Sequence, residues 1–197
     1  MLFCFLQLAV CGQNAELRLL KAINKNETAF KNTYADMHSS GTIPIAIGIP
    51  ISIAALGFIK NDAALKQDAM YMGAAFLASA ITTKATKIIV NRKRPFESHT
   101  FIAKRVRQKA GHSFPSGHSS TAFNTATSLS LRYRKWYVVA PAYLYAAGVG
   151  WARMYQGVHY PGDVLAGAII GAGSAWAAWK IQQAHSNRKK QDKPGIF

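Results

Sequence analysis

Long apolar runs separated by short basic stretches organise this chain. The run from Gly41 to Ile59 carries no charged residue, and it is long enough for one bilayer crossing, which takes about 20 residues. Pro44 and Pro50 lie inside it. They would break a helix in water but are tolerated in a membrane bundle, where neighbours satisfy the freed backbone groups. Met70 to Val90 is the second run, interrupted by Lys84 and Lys87. A small-residue-rich helix is expected from near Ser116 to Leu131, closed by Arg132-Tyr133-Arg134-Lys135. Trp136 to Ala152 and Val164 to Lys180 follow. Between Gly12 and Ser40, the positions of Leu17, Leu20 and Ala22 predict a short amphipathic helix at the membrane surface. Lys60 to Asp68 reads as a polar turn, Asn91 to Ser113 as a basic loop, and His185 to Lys193 as a charged, disordered tail.

The pattern predicts an all-α fold, a polytopic transmembrane bundle of about five to six spans. It forms one domain over residues 12–183 with a basic tail at 184–197. The later runs are rich in Ala, Gly, Ser and Thr. Gly167, Gly171 and Gly173 stand where membrane helices approach closely. The runs are only moderately hydrophobic, so a buried soluble helical core is the competing reading; run length weighs against it. Residues 1–11 are apolar and short, and read as a signal-peptide core or a trimmed first span.

Composition sharpens the picture. There are 24 Lys and Arg against 8 Asp and Glu, a formal net charge of +16. Such an excess points to a polyanionic partner. Nucleic acid is disfavoured, because the basic residues fall between the apolar runs and after the last one rather than along a helix face. Cys4 and Cys11 are the only cysteines; they cannot staple the body of the fold and have no zinc-site spacing. Arg132, Arg134 and Lys135 in one loop, with Arg188, Lys189 and Lys190 after the last run, are cytoplasmic by the positive-inside rule. The stretches 91–114 and 153–162 then face outward. The first is itself basic and breaks the rule, which is understandable if its charges serve a site.

Three stretches carry chemistry, all at predicted outward ends of spans. In the first, Lys87 lies near the end of an apolar helix and Arg94-Pro95 follows. A lysine inside a span marks a site unless it snorkels to the interface. The second, Phe114-Pro115-Ser116-Gly117-His118-Ser119-Ser120, precedes a helix. Free N–H groups at a helix start bind anions, and Gly117 lets backbone come close; Ser116 is equally a helix N-cap. The third runs from Arg153 through His159 to Asp163. A turn at Tyr160-Pro161-Gly162 folds Asp163 toward His159, where a carboxylate on one ring nitrogen leaves the other free to attack. Asp163 also suits a helix start. Phosphoryl transfer needs this set: cations for the equatorial oxygens, an in-line nucleophile and an acid for the leaving oxygen.

In order, Lys-x6-Arg-Pro, Pro-Ser-Gly-His and Arg-x5-His-x3-Asp resemble the three signature motifs of the type 2 phosphatidic acid phosphatase (PAP2) superfamily, in its membrane lipid phosphatase branch. One position departs: the family usually has Ser-Arg at the start of the third motif, and here it is Ala152-Arg153. The resemblance implies that His159 attacks phosphorus, that Asp163 orients it, and that His118 protonates the leaving oxygen and later activates water. It implies that Lys87, Arg94 and Arg153, with Ser116 and the Gly117 backbone, hold the phosphoryl oxygens. No cofactor or metal is implied. The expected partner is a phosphorylated lipid, and the expected location a bacterial inner membrane with the site facing the periplasm. The alternatives are a lipid-to-lipid phosphotransferase, a soluble acid phosphatase and a non-catalytic basic lipid-binding protein. Arg92, Lys93, Lys104, Arg105, Arg107 and Lys109 either attract anionic headgroups or form a solvated loop; His38, His99, His112 and His185 receive no role.

Overall fold

The structure is a computed structural model and describes residues 14–107 and 110–191. The expected signal-peptide core at 1–11 lies outside the described residues. Among those described, every regular element is a helix: α1 (residues 14–24), α2 (Ala29–Ile59), α3 (Ala63–Val90), α4 (Pro95–Ser98), α5 (Gly117–Arg132), α6 (Trp136–Tyr155) and α7 (Pro161–Gln191). Thr28 and Asp62 cap α2 and α3 with side-chain acceptors, which sets where each long helix begins.

The bundle is apolar outside and polar within. Ile47, Ile51, Phe58, Leu77, Ile81, Leu144 and Ile169 are exposed, whereas Thr42, Ser79, Thr83, Ser120 and Asn124 are buried. A water-soluble helical core would show the reverse, so the all-α membrane bundle is the architecture. Among the described residues, three helical stretches are long and apolar enough to cross a membrane: Ala29–Ile59, Ala63–Ser98 and Pro161–Asn187. α5 is more polar and sits at the centre, packed on α2, α3, α6 and α7.

Buried hydroxyls and amides join these helices. Ser120 Oγ lies 2.6 Å from Ser79 Oγ and accepts from Thr83 Oγ1 at 2.8 Å. Asn124 Nδ2 donates to the carbonyls of Ala75 and Gly171, each at 3.1 Å. The α5–α7 approach is closest at two glycines. A Cβ at Gly167 would lie 2.4 Å from Ser116 O, and one at Gly171 2.1 Å from Ser120 O.

Three expected boundaries need correction. The polar turn read at Lys60 to Asp68 is shorter, because Asp62 caps α3 and the helix begins at Ala63. α2 begins at Ala29, well before Gly41. α7 continues through Gln191, so the stretch read as a disordered tail is helical from His185 to that point.

Candidate active site

The first stretch leaves α3 through Asn91, which adopts φ 47°; asparagine tolerates this left-handed turn better than most residues. The turn sends Arg92 and Arg94 back over the bundle end. Arg94 is 7% exposed. Its Nη1 donates to Val158 O at 3.0 Å and lies 3.4 Å from His159 Nε2, while its buried Nε has no partner. Lys87 behaves differently from expectation. Its Nζ donates to the carbonyls of Pro115 at 2.6 Å, His112 at 3.1 Å and Ser113 at 3.4 Å. The ammonium thus stitches the end of α3 to the approach of α5.

The second stretch starts α5. Ser116 is the N-cap, its Oγ accepting from Ser119 N at 3.4 Å and Ser119 Oγ at 2.9 Å. Its N–H donates to Asp163 O at 2.9 Å, which ties α5 to the third stretch. A Cβ on Gly117 would meet only Thr83 Cγ2, at 3.9 Å, so space beside this backbone is open. His118 follows, half-buried, within electrostatic reach of Arg153, His159, Arg94 and Lys87.

The third stretch ends α6 and starts α7. Arg153 is 2% exposed; its Nη1 donates to Ser39 Oγ and, at 2.9 Å, to Gln156 Oε1. Gln156 Nε2 in turn donates to Asp36 Oδ1 at 3.2 Å, so α2 supports this arginine. Gly157 has φ 73°, and a Cβ there would lie 2.4 Å from Ala103 O. Only glycine fits that turn, which delivers His159 to the interior.

His159 is 2% exposed and Asp163 is fully buried. Asp163 Oδ2 accepts from Tyr160 N at 2.8 Å, reaching back over the helix start as in a capping box. The same oxygen lies 3.7 Å from His159 Nδ1, which has no hydrogen-bond partner. The two groups face each other but stand beyond hydrogen-bond range. Burial lowers the His159 imidazole to about 4; Arg153 and Arg94 add to the shift, and Asp163 opposes it. The ring is therefore neutral at neutral pH.

The fold gathers all eight residues singled out in the sequence at one end of the bundle. The side chains of Lys87 and Ser116 are engaged by the protein itself. Four residues with supporting contacts escaped a site assignment: Glu16, Ser39, Arg92 and Gln156. Arg92 drew attention only as loop charge. Yet its Nη1 donates to Asp163 Oδ1 at 2.9 Å and its Nη2 to Glu16 Oε2 at 2.8 Å. Arg105 is also paired, with Glu27 and the Asn24 carbonyl, so neither arginine is a solvated loop charge. Among the described residues no group of three or more His, Cys, Asp and Glu is placed to hold a metal ion.

Comparison with known proteins bears on the family and the fold. The lipid A 4'-phosphatase of Bacteroides thetaiotaomicron is 35% identical over 111 residues, covering 54% of this chain and 49% of the relative. The chain thus spans about half the length of that curated relative. The crystal structure of Aquifex aeolicus LpxE superposes with a TM-score of 0.67 at 28% identity, over 83% of this chain and 94% of that one. A transmembrane PAP2-type phosphatidylglycerolphosphate phosphatase from Bacillus subtilis gives a TM-score of 0.73 at 24% identity, over 93% of each chain, a likeness of fold. The family model described as the PAP2 superfamily matches residues 68–187, the region that holds all three stretches. By that match over more than half its length, the chain belongs to the PAP2 superfamily.

Proposed function

We propose that the protein is a membrane phosphatase that hydrolyses a phosphomonoester or diphosphate lipid through a phosphohistidine, without a metal. One observation carries the reading: Arg94 Nη1 lies 3.4 Å from His159 Nε2, a cation beside the ring nitrogen that would attack. A phosphoryl group bound there meets its charge partner and its nucleophile together.

His159, neutral through burial, attacks phosphorus with Nε2 while Nδ1 keeps its proton toward Asp163. The phosphorus–oxygen bond to the lipid breaks, and His118, charged once a bound phosphate anion offsets the cations around it, gives its proton to the leaving oxygen. Water, deprotonated by His118, then attacks the phosphohistidine and releases inorganic phosphate. Arg94 and Arg153 offset charge on the phosphoryl oxygens, with the Gly117 backbone and the Lys87 ammonium beside them. The substrate is a phosphorylated lipid such as phosphatidic acid, phosphatidylglycerophosphate, a polyprenyl diphosphate or a lipid A phosphate. The name of the Bacteroides relative favours the last. Loop charge supports a site on the periplasmic face of a bacterial inner membrane, with the helices passing through it several times.

Phosphate release from a panel of these lipids, by detergent-purified protein in the presence of a chelator, tests the reading. Turnover should persist in chelator and vanish in His159→Ala. A strict requirement for added Mg²⁺ would overturn the mechanism.

A further inference from the structure

The fully buried Asp163 carboxylate has an anchor that the three motifs do not supply. A buried carboxylate is costly unless paired, and His159 Nδ1, at 3.7 Å, does not hydrogen-bond it. Its close ionic partner is Arg92, whose Nη1 reaches Oδ1 at 2.9 Å. The other carboxylate oxygen is left to the Tyr160 N–H and to the His159 ring. Arg92 therefore determines which edge of Asp163 faces the imidazole.

Arg92 is itself held on two further sides. Its guanidinium carbon stands 3.8 Å from the centre of the Tyr160 ring, and Nη2 pairs with Glu16 Oε2 at 2.8 Å. Glu16 lies on α1, outside the stretch matched by the family model. Its second oxygen accepts from Gly162 N at 2.7 Å, within the first turn of α7 that carries Asp163. One glutamate thus fixes the arginine and the helix start together. α1 is anchored in place for this contact, with Leu20 fully buried against Ile102 and Tyr160.

We infer that Arg92 and Glu16 are positioning residues for Asp163, so that the N-terminal helix α1 sets the alignment of the nucleophilic histidine. This rests on the proposed role of the His159–Asp163 pair. The planar fork of arginine suits such a role, because it grips two carboxylates through separate nitrogens while stacking on a ring. A lysine at position 92 keeps the charge and loses the fork.

The experiment compares Arg92→Gln, Arg92→Lys, Glu16→Gln and Gly162→Ala with wild type and His159→Ala, all as full chains in detergent on one lipid phosphate. Gly162→Ala is informative because its Cβ would lie 2.8 Å from Glu16 Oε1, the end of a flexible side chain. It dislodges Glu16 without removing a charge. Arg92→Gln should lower kcat on the order of 10- to 100-fold, the scale of a small misplacement in the site. KM should stay within about twofold, since substrate is not touched. Arg92→Lys should fall between Arg92→Gln and wild type. Glu16→Gln and Gly162→Ala should lower kcat in the same sense, and Glu16→Gln should add little on top of Arg92→Gln, as coupled residues do. Active sites are counted by trapped phosphoenzyme and folding by thermal unfolding. Wild-type-like kcat per active site in all four variants would overturn the inference, even if melting temperatures fell, because the network would then only hold the fold. A wild type inert toward every lipid phosphate would instead sink the phosphatase reading.

Discussion

Arg94 and His159 meet in the interior, Nη1 against Nε2 at 3.4 Å, although 65 positions separate them in the chain. A cation beside a neutral imidazole nitrogen makes a defined prediction for an anionic substrate. Arg94→Ala should lower kcat on the order of 10²- to 10³-fold, the usual cost of losing one donor to developing charge. Arg94→Lys should recover part of this, since it restores charge without the planar fork. Steady-state kinetics on a lipid phosphate measures both. A change confined to KM would show that Arg94 holds the ground state and the transition state equally.

Lys87 spends its ammonium on three carbonyls of the segment leading to α5. Lys87→Met should therefore destabilise the fold as well as weaken phosphate handling. Charge-assisted hydrogen bonds are worth about 1.5–3 kcal/mol, and the carbonyls would be left without that donor. Thermal unfolding in detergent should show a lowered midpoint before any substrate is added. An unchanged midpoint would mean that the approach to α5 holds its shape unaided.

Arg153 takes its hydroxyl partner from another helix. The family's usual serine before this arginine is replaced by Ala152, which is fully buried and packed with Ala35 and Tyr155. Ser39 on α2 accepts from Arg153 Nη1. Ser39→Ala should lower kcat/KM by about tenfold, the equivalent of one net hydrogen bond of roughly 1.4 kcal/mol. Ala152→Ser should leave turnover intact or improve it. If the Ser39→Ala protein were fully active, the other contacts of Arg153, Gln156 among them, would be sufficient to hold it.

The architecture was legible because membrane helices announce themselves as runs, and the site because its chemistry sits in three local spacings. What escaped has a physical cause. α2 starts earlier than the apolar run because its inner face is small and polar: Ala35, Ser39 and Thr42 are buried at helical spacing. A reading keyed to hydrophobicity sees only the lipid-facing side. Glu16 and Ser39 escaped because their partners lie far along the chain, at Gly162 and Arg153, and a single acid or serine has no local signature. Arg92 looked like one more loop cation because a buried carboxylate partner cannot be read from sequence.

The buried His159 ring should resist protonation. Burial lowers it to about 4 from the usual 6.5, so the ring stays neutral throughout the neutral range. Falling pH protonates the ring only near the lower value. The unfolded chain takes up this proton near 6.5 while the folded one does not, so stability should decline as pH drops from 6.5 toward 4 and then level off. Nitrogen-15 spectra of histidine-labelled protein, with His159→Gln for assignment, would follow the ring directly. A protonation midpoint near 6.5 would show that the imidazole is hydrated rather than enclosed.

Two glycines set the distance between α5, which carries His118, and α7, which carries Asp163. Cβ atoms at Gly167 and Gly171 would fall 2.4 Å from Ser116 O and 2.1 Å from Ser120 O. These are backbone oxygens of α5 and its N-cap, so no side-chain rotation can relieve the clash. Either helix must move, and the Ser116 N–H to Asp163 O bond at 2.9 Å lies in the path of that movement. Gly171→Ala should therefore cost activity out of proportion to the size of one methyl group. A displacement near 1 Å in a phosphoryl-transfer site is worth about 10²-fold, and overpacking adds about 1–3 kcal/mol of destabilisation. Gly173→Ala is the matched control, because nothing lies within 4 Å of a Cβ there. Comparable kinetics and melting points for the two variants would show that α7 can slide on α5 without disturbing the site. Loss in Gly171→Ala alone would establish that close helix packing inside the bundle holds the catalytic groups in register.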